Sequence, residues 1–114
     1  MMNPNASVQE MIYSQMHHFM QKIADKGQVT FDKAIEVATW TAAFVIRQRH
    51  IQNGGVSDAE IQTVLGTIGN FFKENFGDDF SQEDFNLLST KTLELLKIPT
   101  FDNDSKEYFM QFYR

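Results

Sequence analysis

Three histidines, His17, His18 and His50, are the only imidazoles of this chain, and it contains no cysteine. Any nitrogen-based metal site would therefore rest on them. Helical metal sites use ligands three or four residues apart, so that both side chains leave the same face. Adjacent His17 and His18 diverge by about 100° around a helix, and His17 falls opposite the apolar stripe of its own segment. A solvated His17 is expected, and no metal ligand is assigned. The carboxylate pairs Asp78-Asp79 and Glu83-Asp84 are the next candidates for chemistry. They fall in a loop and a first helical turn, where solvent keeps carboxylates ionised and does not raise their pKa for acid catalysis. Serines and threonines sit at helix caps or inside helical stretches, with no base at a fitting distance. The sequence thus points to a non-enzymatic protein with no cofactor and no catalytic residue.

Two further stretches carry partial binding patterns. The stretch from Asp25 to Lys33 carries Gly27 at a turn and Val29 at the offset of a calcium loop. Its closing position is Lys33 and an early ligand position is Lys22, where a calcium cage needs oxygens. It reads as a joint between helices. A DNA-binding helix-turn-helix can be drawn through Asp58 to Phe76 with its turn at Leu65-Gly66, supported by a basic cluster of Arg47, Arg49 and His50. Its recognition helix would offer one Lys and one Glu where several phosphate contacts are wanted. Nucleic-acid binding is the alternative reading, and the weaker one.

Charge gives the favoured reading. The net charge is −5, and residues 57–114 hold eleven Asp/Glu against five Lys/Arg. Glu74, Asp78, Asp79, Glu83 and Asp84 follow one another with no basic residue among them, and Phe76 and Phe80 sit between them. An acidic rim around aromatic anchors is the build of an interaction hot spot. These seven residues are the expected contact for a protein partner with a basic surface.

The elements that must position them are helices. Ser7 to Glu10 has the capping-box pattern, so the first helix is expected from about Ser7 to Asp25, with Gly27 ending it. Val8, Ile12, Phe19 and Ile23 lie within about 60° of arc. Thr30 caps the second helix, which Asn53-Gly54-Gly55 ends. Ser57 to Glu60 is a second capping box, opening a helix that ends near Phe76-Gly77. Ser81 caps the fourth, with Pro99 just beyond its end. A short fifth helix is expected over Asp102 to Arg114, carrying Tyr108, Phe109, Phe112 and Tyr113. It either docks on its own bundle or serves as a docking tail. Residues 1–6 are expected to be a flexible N-terminus. Short loops and long helices predict a single all-α domain, a four-to-five-helix antiparallel bundle.

The second helix carries two apolar stripes. One is Phe31, Ile35, Ala38, Ala42 and Val45; the other is Val37, Trp40 and Phe44. A helix apolar around most of its circumference is buried on most sides, which is demanding for a chain of 114 residues. On the third helix Ile61, Leu65, Ile68 and Phe72 form the core stripe, with Val64 and Phe71 beside it. Gly66 and Gly69 there cost about 1 kcal/mol each against Ala, as expected where another helix packs close. Trp40, Phe44, Gly66, Gly69 and Phe71 are therefore the expected self-association surface of a homodimer. No segment has the roughly 20 apolar residues of a membrane span. The N-terminus lacks the pattern of a secretory signal. The expectation is a small acidic cytoplasmic protein that binds another protein and inhibits or regulates it, in the manner of inhibitors, immunity proteins or antiactivators.

Overall fold

Two glycines with positive φ, Gly54 at 73° and Gly77 at 60°, stop the second and third helices where L side chains would be strained. Around such stops the described residues fold into five α-helices. A computed structural model describes residues 4–27 and 30–113. They comprise α1 (Pro4–Asp25), α2 (Phe31–Asn53), α3 (Asp58–Phe76), α4 (Gln82–Leu96) and α5 (Phe101–Met110). A 3-10 turn over Gly77–Asp79 joins α3 to α4, and another over Gln111–Tyr113 follows α5. The expected all-α bundle is what forms, with no strand among the described residues.

Three caps form at the residues expected, although the capping box expected at Ser57–Glu60 shows only its serine half. The Thr30 hydroxyl accepts from the Lys33 amide at 3.1 Å. Ser57 accepts from Glu60 at 3.2 Å. Ser81 and Asp84 close a complete capping box, Ser81 accepting from the Asp84 amide at 3.2 Å and Asp84 from the Ser81 amide at 3.0 Å. The first helix differs. Its backbone is already helical from Pro4, so Ser7 lies inside the helix and is not its cap. Proline suits a first helical position because its φ is preset and it has no amide hydrogen to leave unpaired. Of the N-terminal segment expected to be flexible, residues 4–6 are therefore helical and residues 1–3 lie outside the described residues, as do Gln28 and Val29 of the joint.

Helix α2 is the centre of the bundle, packed against α1, α3, α4 and α5. Its small residues Ala34, Ala38, Ala42 and Ala43 are fully buried, which lets its neighbours approach closely. Ile12, Met16 and Ile23 of α1 and Leu65, Ile68 and Phe72 of α3 complete the interior. Phe72 is the hub of a ring cluster. It stacks on Phe76 at 5.4 Å and on Phe80 at 4.9 Å, and meets Phe31 and Phe71 edge-on at 6.1 and 6.0 Å.

The second apolar stripe of α2 is covered from within the same chain. Trp40 stacks on Tyr108 at 4.7 Å and on Phe101 at 6.0 Å, and Phe44 meets Phe109 edge-on at 5.6 Å. The C-terminal segment therefore docks on its own bundle, with Phe112 buried against Phe19 at 4.9 Å. Polar ties help to hold it there. Lys26 Nζ donates to the Gln111 carbonyl at 2.9 Å. The Arg47 guanidinium grips Asp102 with two hydrogen bonds of 2.9 and 3.1 Å.

The two glycines of α3 are not alike. A Cβ on Gly69 would meet the Phe85 ring at 3.0 Å, so α4 does pack close there. A Cβ on Gly66 would meet nothing within 4 Å, so no close helix explains that glycine. Gly66→Ala is accordingly expected to raise stability by about 0.5–1 kcal/mol. Gly69→Ala is expected to lower it, because the Phe85 ring, which meets Phe80 edge-on at 6.4 Å, must shift. Urea unfolding of the two variants checks this, and a gain at Gly69 equal to that at Gly66 would contradict the packing described.

Candidate functional site

The acidic corner is formed where α3 turns into α4. Glu74 stands on the last turn of α3, Asp78 and Asp79 on the 3-10 turn, and Glu83 on the first turn of α4; all four are exposed. No ion pair engages any of them among the described residues. Glu74 accepts a hydrogen bond from the Tyr13 hydroxyl at 3.3 Å. The Tyr13 phenol is raised from its ordinary value by burial first and by the Glu74 charge second. Asp84 is half-buried and serves the capping box, its Oδ2 also accepting from the Ser81 hydroxyl at 2.9 Å.

The expected aromatic anchors of this corner are turned inward. Phe80 is 5% exposed, stacked on Phe72. Phe76 is the last residue of α3, not a loop residue, and is half-buried between Phe72 and Phe31, the latter at 5.6 Å. The Phe72 cluster draws both rings inward because burying an aromatic side chain removes far more apolar surface from water than a loop position allows. The corner is thus charged without being apolar.

The residues expected to mediate self-association are also accounted for inside the chain. Phe71 is fully buried, its ring flanked by Tyr13 at 5.9 Å and His17 at 5.0 Å, both edge-on. Gly69 lies under Phe85, and Trp40 and Phe44 under α5. The double stripe of α2 therefore supplies no argument for a second copy. His17, although exposed, packs on Phe71 instead of standing clear in solvent.

The helix-turn-helix drawing fails on its turn. Helix α3 runs unbroken from Asp58 to Phe76 through Leu65-Gly66, because Leu65 and Ile68 are held in the core and a single interior glycine costs less than a broken helix. Both arginines of the basic cluster are engaged, Arg47 with Asp102 and Arg49 with Glu60 at 3.0 Å. The hydrogen bonds from these arginines hold Asp102 and Glu60 below the ordinary carboxylate values.

Grooves lie on either side of α2. One, of about 730 Å³, lies between α1, the C-terminal half of α2 and α5, and is lined by Phe44, Ile51, Phe109, Met110 and Tyr113. The other, of about 630 Å³, lies between α2 and α4 and borders the acidic corner through Asp84. Trp40, Leu87, Leu95 and Ile98 line it, and the carboxylates Asp32, Glu36, Asp84 and Glu94 stand against the single cation Lys91. These groove residues are absent from the sequence-based assignment. Their signal was present: positions 87, 91, 94, 95 and 98 repeat at helical spacing as a second face beside Leu88 and Thr92.

No protein-family model matches this chain, and neither a characterised protein nor a solved structure matches it. Among the described residues, no helix is long and apolar enough to cross a membrane.

At the α5 end of the second groove, the Tyr108 hydroxyl donates to Glu36 at 3.2 Å, and Lys33 pairs with the same carboxylate at 2.7 Å. Burial first, and the Glu36 charge second, push the Tyr108 phenol well above its ordinary value of 10.0. The unfolded chain ionises this tyrosine near pH 10, whereas the folded chain keeps its proton. The resulting stabilisation is complete below about pH 10 and is lost as pH rises beyond it, since ionisation then favours the unfolded state. Thermal melts between pH 8 and 11 are expected to show that decline. Tyr108→Phe should reduce its slope, leaving the part due to Tyr13; an unchanged slope would place Tyr108 in solvent.

Proposed function

We propose that this chain is a non-enzymatic regulator or inhibitor that docks on another protein through that partner's basic surface. The observation that supports it is the exposed quartet Glu74, Asp78, Asp79 and Glu83, gathered at one corner with no cation paired to any of them among the described residues. Like charges held together repel one another, and a basic surface relieves that repulsion while accelerating encounter. The corner is carried on two capped helix ends, so its charges are presented without any rearrangement of the fold. The nucleic-acid alternative has less support, because Arg47 and Arg49 are already engaged by Asp102 and Glu60.

The test uses tagged full-length protein as bait in nuclease-treated lysate of its source, beside a Glu74→Gln/Asp78→Asn/Asp79→Asn/Glu83→Gln variant. The expected result is one stoichiometric protein, released by salt, whose association rate with the variant is about tenfold or more slower. A partner that binds both baits equally would remove the corner from the mechanism. Retention of nucleic acid alone, when nuclease is omitted, would favour the alternative.

A further inference from the structure

Helix α4 is the least covered of the long helices. Leu88 and Thr92 are its fully buried residues, and its neighbouring face is left open. Leu87 is 49% exposed and Ile98, just past the helix end, is 38% exposed. Both line the groove of about 630 Å³ against α2, with Leu95 and Trp40 half-buried beside them. Apolar side chains in line along a groove with a polar rim form the kind of patch that marks an interaction site.

The rim says what would cover that patch. Asp32 and Glu36 of α2 stand on one side, Asp84 and Glu94 of α4 on the other, with Lys91 the one cation among the groove's lining residues. Lys33 neutralises part of Glu36, and no ion pair engages Asp32, Asp84 or Glu94 among the described residues. An apolar floor between acidic walls complements a segment with one apolar face and basic flanks. Helix α4 has 15 residues, a length of about 22 Å, which matches a helix of about four turns laid alongside it.

We propose that the α2–α4 groove binds a basic amphipathic helix of a partner protein, with apolar side chains at helical spacing on Leu87, Leu95, Ile98 and Trp40 and lysines or arginines facing Asp32, Asp84 and Glu94. This rests on the reading of the chain as a binder of basic proteins, and it adds the anchor that the charged corner lacks. The corner steers the partner, and the groove retains it by the helix-in-groove mode of recognition.

Trp40, the single tryptophan, makes the site self-reporting. Full-length protein is titrated with three synthetic peptides of about 16 residues. The first is a Leu/Lys helix with its leucines on one face, the second has the same composition scrambled so that no face forms, and the third is the first with Glu for Lys. The expected result is saturable binding of the amphipathic basic peptide with a shift in Trp40 emission. Its affinity should fall about tenfold in Leu87→Ser/Ile98→Ser and decline with salt. Both substitutions remove exposed side chains, and an unchanged circular dichroism melt shows that the fold is kept.

Equal binding of the scrambled peptide, lost in the corner quartet variant, would overturn the groove proposal and leave the basic-partner reading standing. Equal binding of the acidic peptide, or no binding of either basic peptide, would overturn both. Sedimentation of the free protein adds one more arm. A dimer that becomes a monomer in Leu87→Ser/Ile98→Ser would make the groove a contact between copies and end the proposal.

Discussion

Phe72→Ala is expected to lose about 3–5 kcal/mol of folding stability, the range for deleting a buried ring. Phe72 is 0% exposed and touches rings from three parts of the chain: Phe31 opens α2, Phe71 and Phe76 belong to α3, and Phe80 leads into α4. Phe71 and Phe80 are themselves buried and held by their own contacts, so a cavity term adds to the lost transfer energy. Single domains are stable by only about 5–15 kcal/mol, so this loss removes a large share of the total and lowers the denaturation midpoint markedly. Phe76→Ala, at a half-buried position of the same cluster, should cost visibly less. Denaturant unfolding of both checks the order; a Phe72→Ala loss no larger than that of Phe76→Ala would show that the hub is elsewhere. The same ring cluster sets the shape of the acidic corner, so Phe72→Ala should also blunt the partner binding proposed above, although Phe72 itself touches no solvent.

The second large effect concerns the C-terminal segment. A chain ending at Thr100 is expected to be destabilised by several kcal/mol and to self-associate. Phe101 and Phe112 are both buried, and burying one Phe side chain contributes about 1.5–3 kcal/mol. Together they account for about 3–6 kcal/mol before the entropy of ordering the segment is subtracted. Truncation also uncovers Trp40 and Phe44, whose ring contacts with Tyr108, Phe101 and Phe109 are then lost. The second apolar stripe of α2 would stand open, and the readouts are a red shift of Trp40 emission and a rise in sedimentation coefficient with concentration. A truncated chain that stays monomeric with unshifted emission would mean that α5 covers little. By contrast, Asp102→Asn removes only a surface ion pair to Arg47 and should change stability little.

Much of this molecule was legible in its residues. The helix ends at Asp25, Asn53 and Phe76, and the caps at Thr30, Ser57 and Ser81, follow from local chemistry: a hydroxyl that accepts a first-turn amide, a glycine that tolerates positive φ. The inward stripe Val8, Ile12, Phe19 and Ile23 follows from the 3.6-residue period alone. The beginning of α1 differs from the expectation because Ser7 and Glu10 make a cap pattern that Pro4 pre-empts. For the candidate site, the sequence determined the charge of the corner: Asp78, Asp79 and Glu83 are surface carboxylates in any fold with these helices. It did not determine that Phe76 and Phe80 turn inward, because that depends on Phe72 and Phe31 lying within ring-stacking distance, a long-range fact. Nor did it determine what covers Trp40 and Phe44. Two stripes on one helix state how much apolar surface must be buried, not which chain buries it. Only tertiary structure decided that α5 does, and that α4 leaves Leu87 and Ile98 open beside α2, because hydrophobic burial is non-directional and its partners are set by where the loops let each helix return.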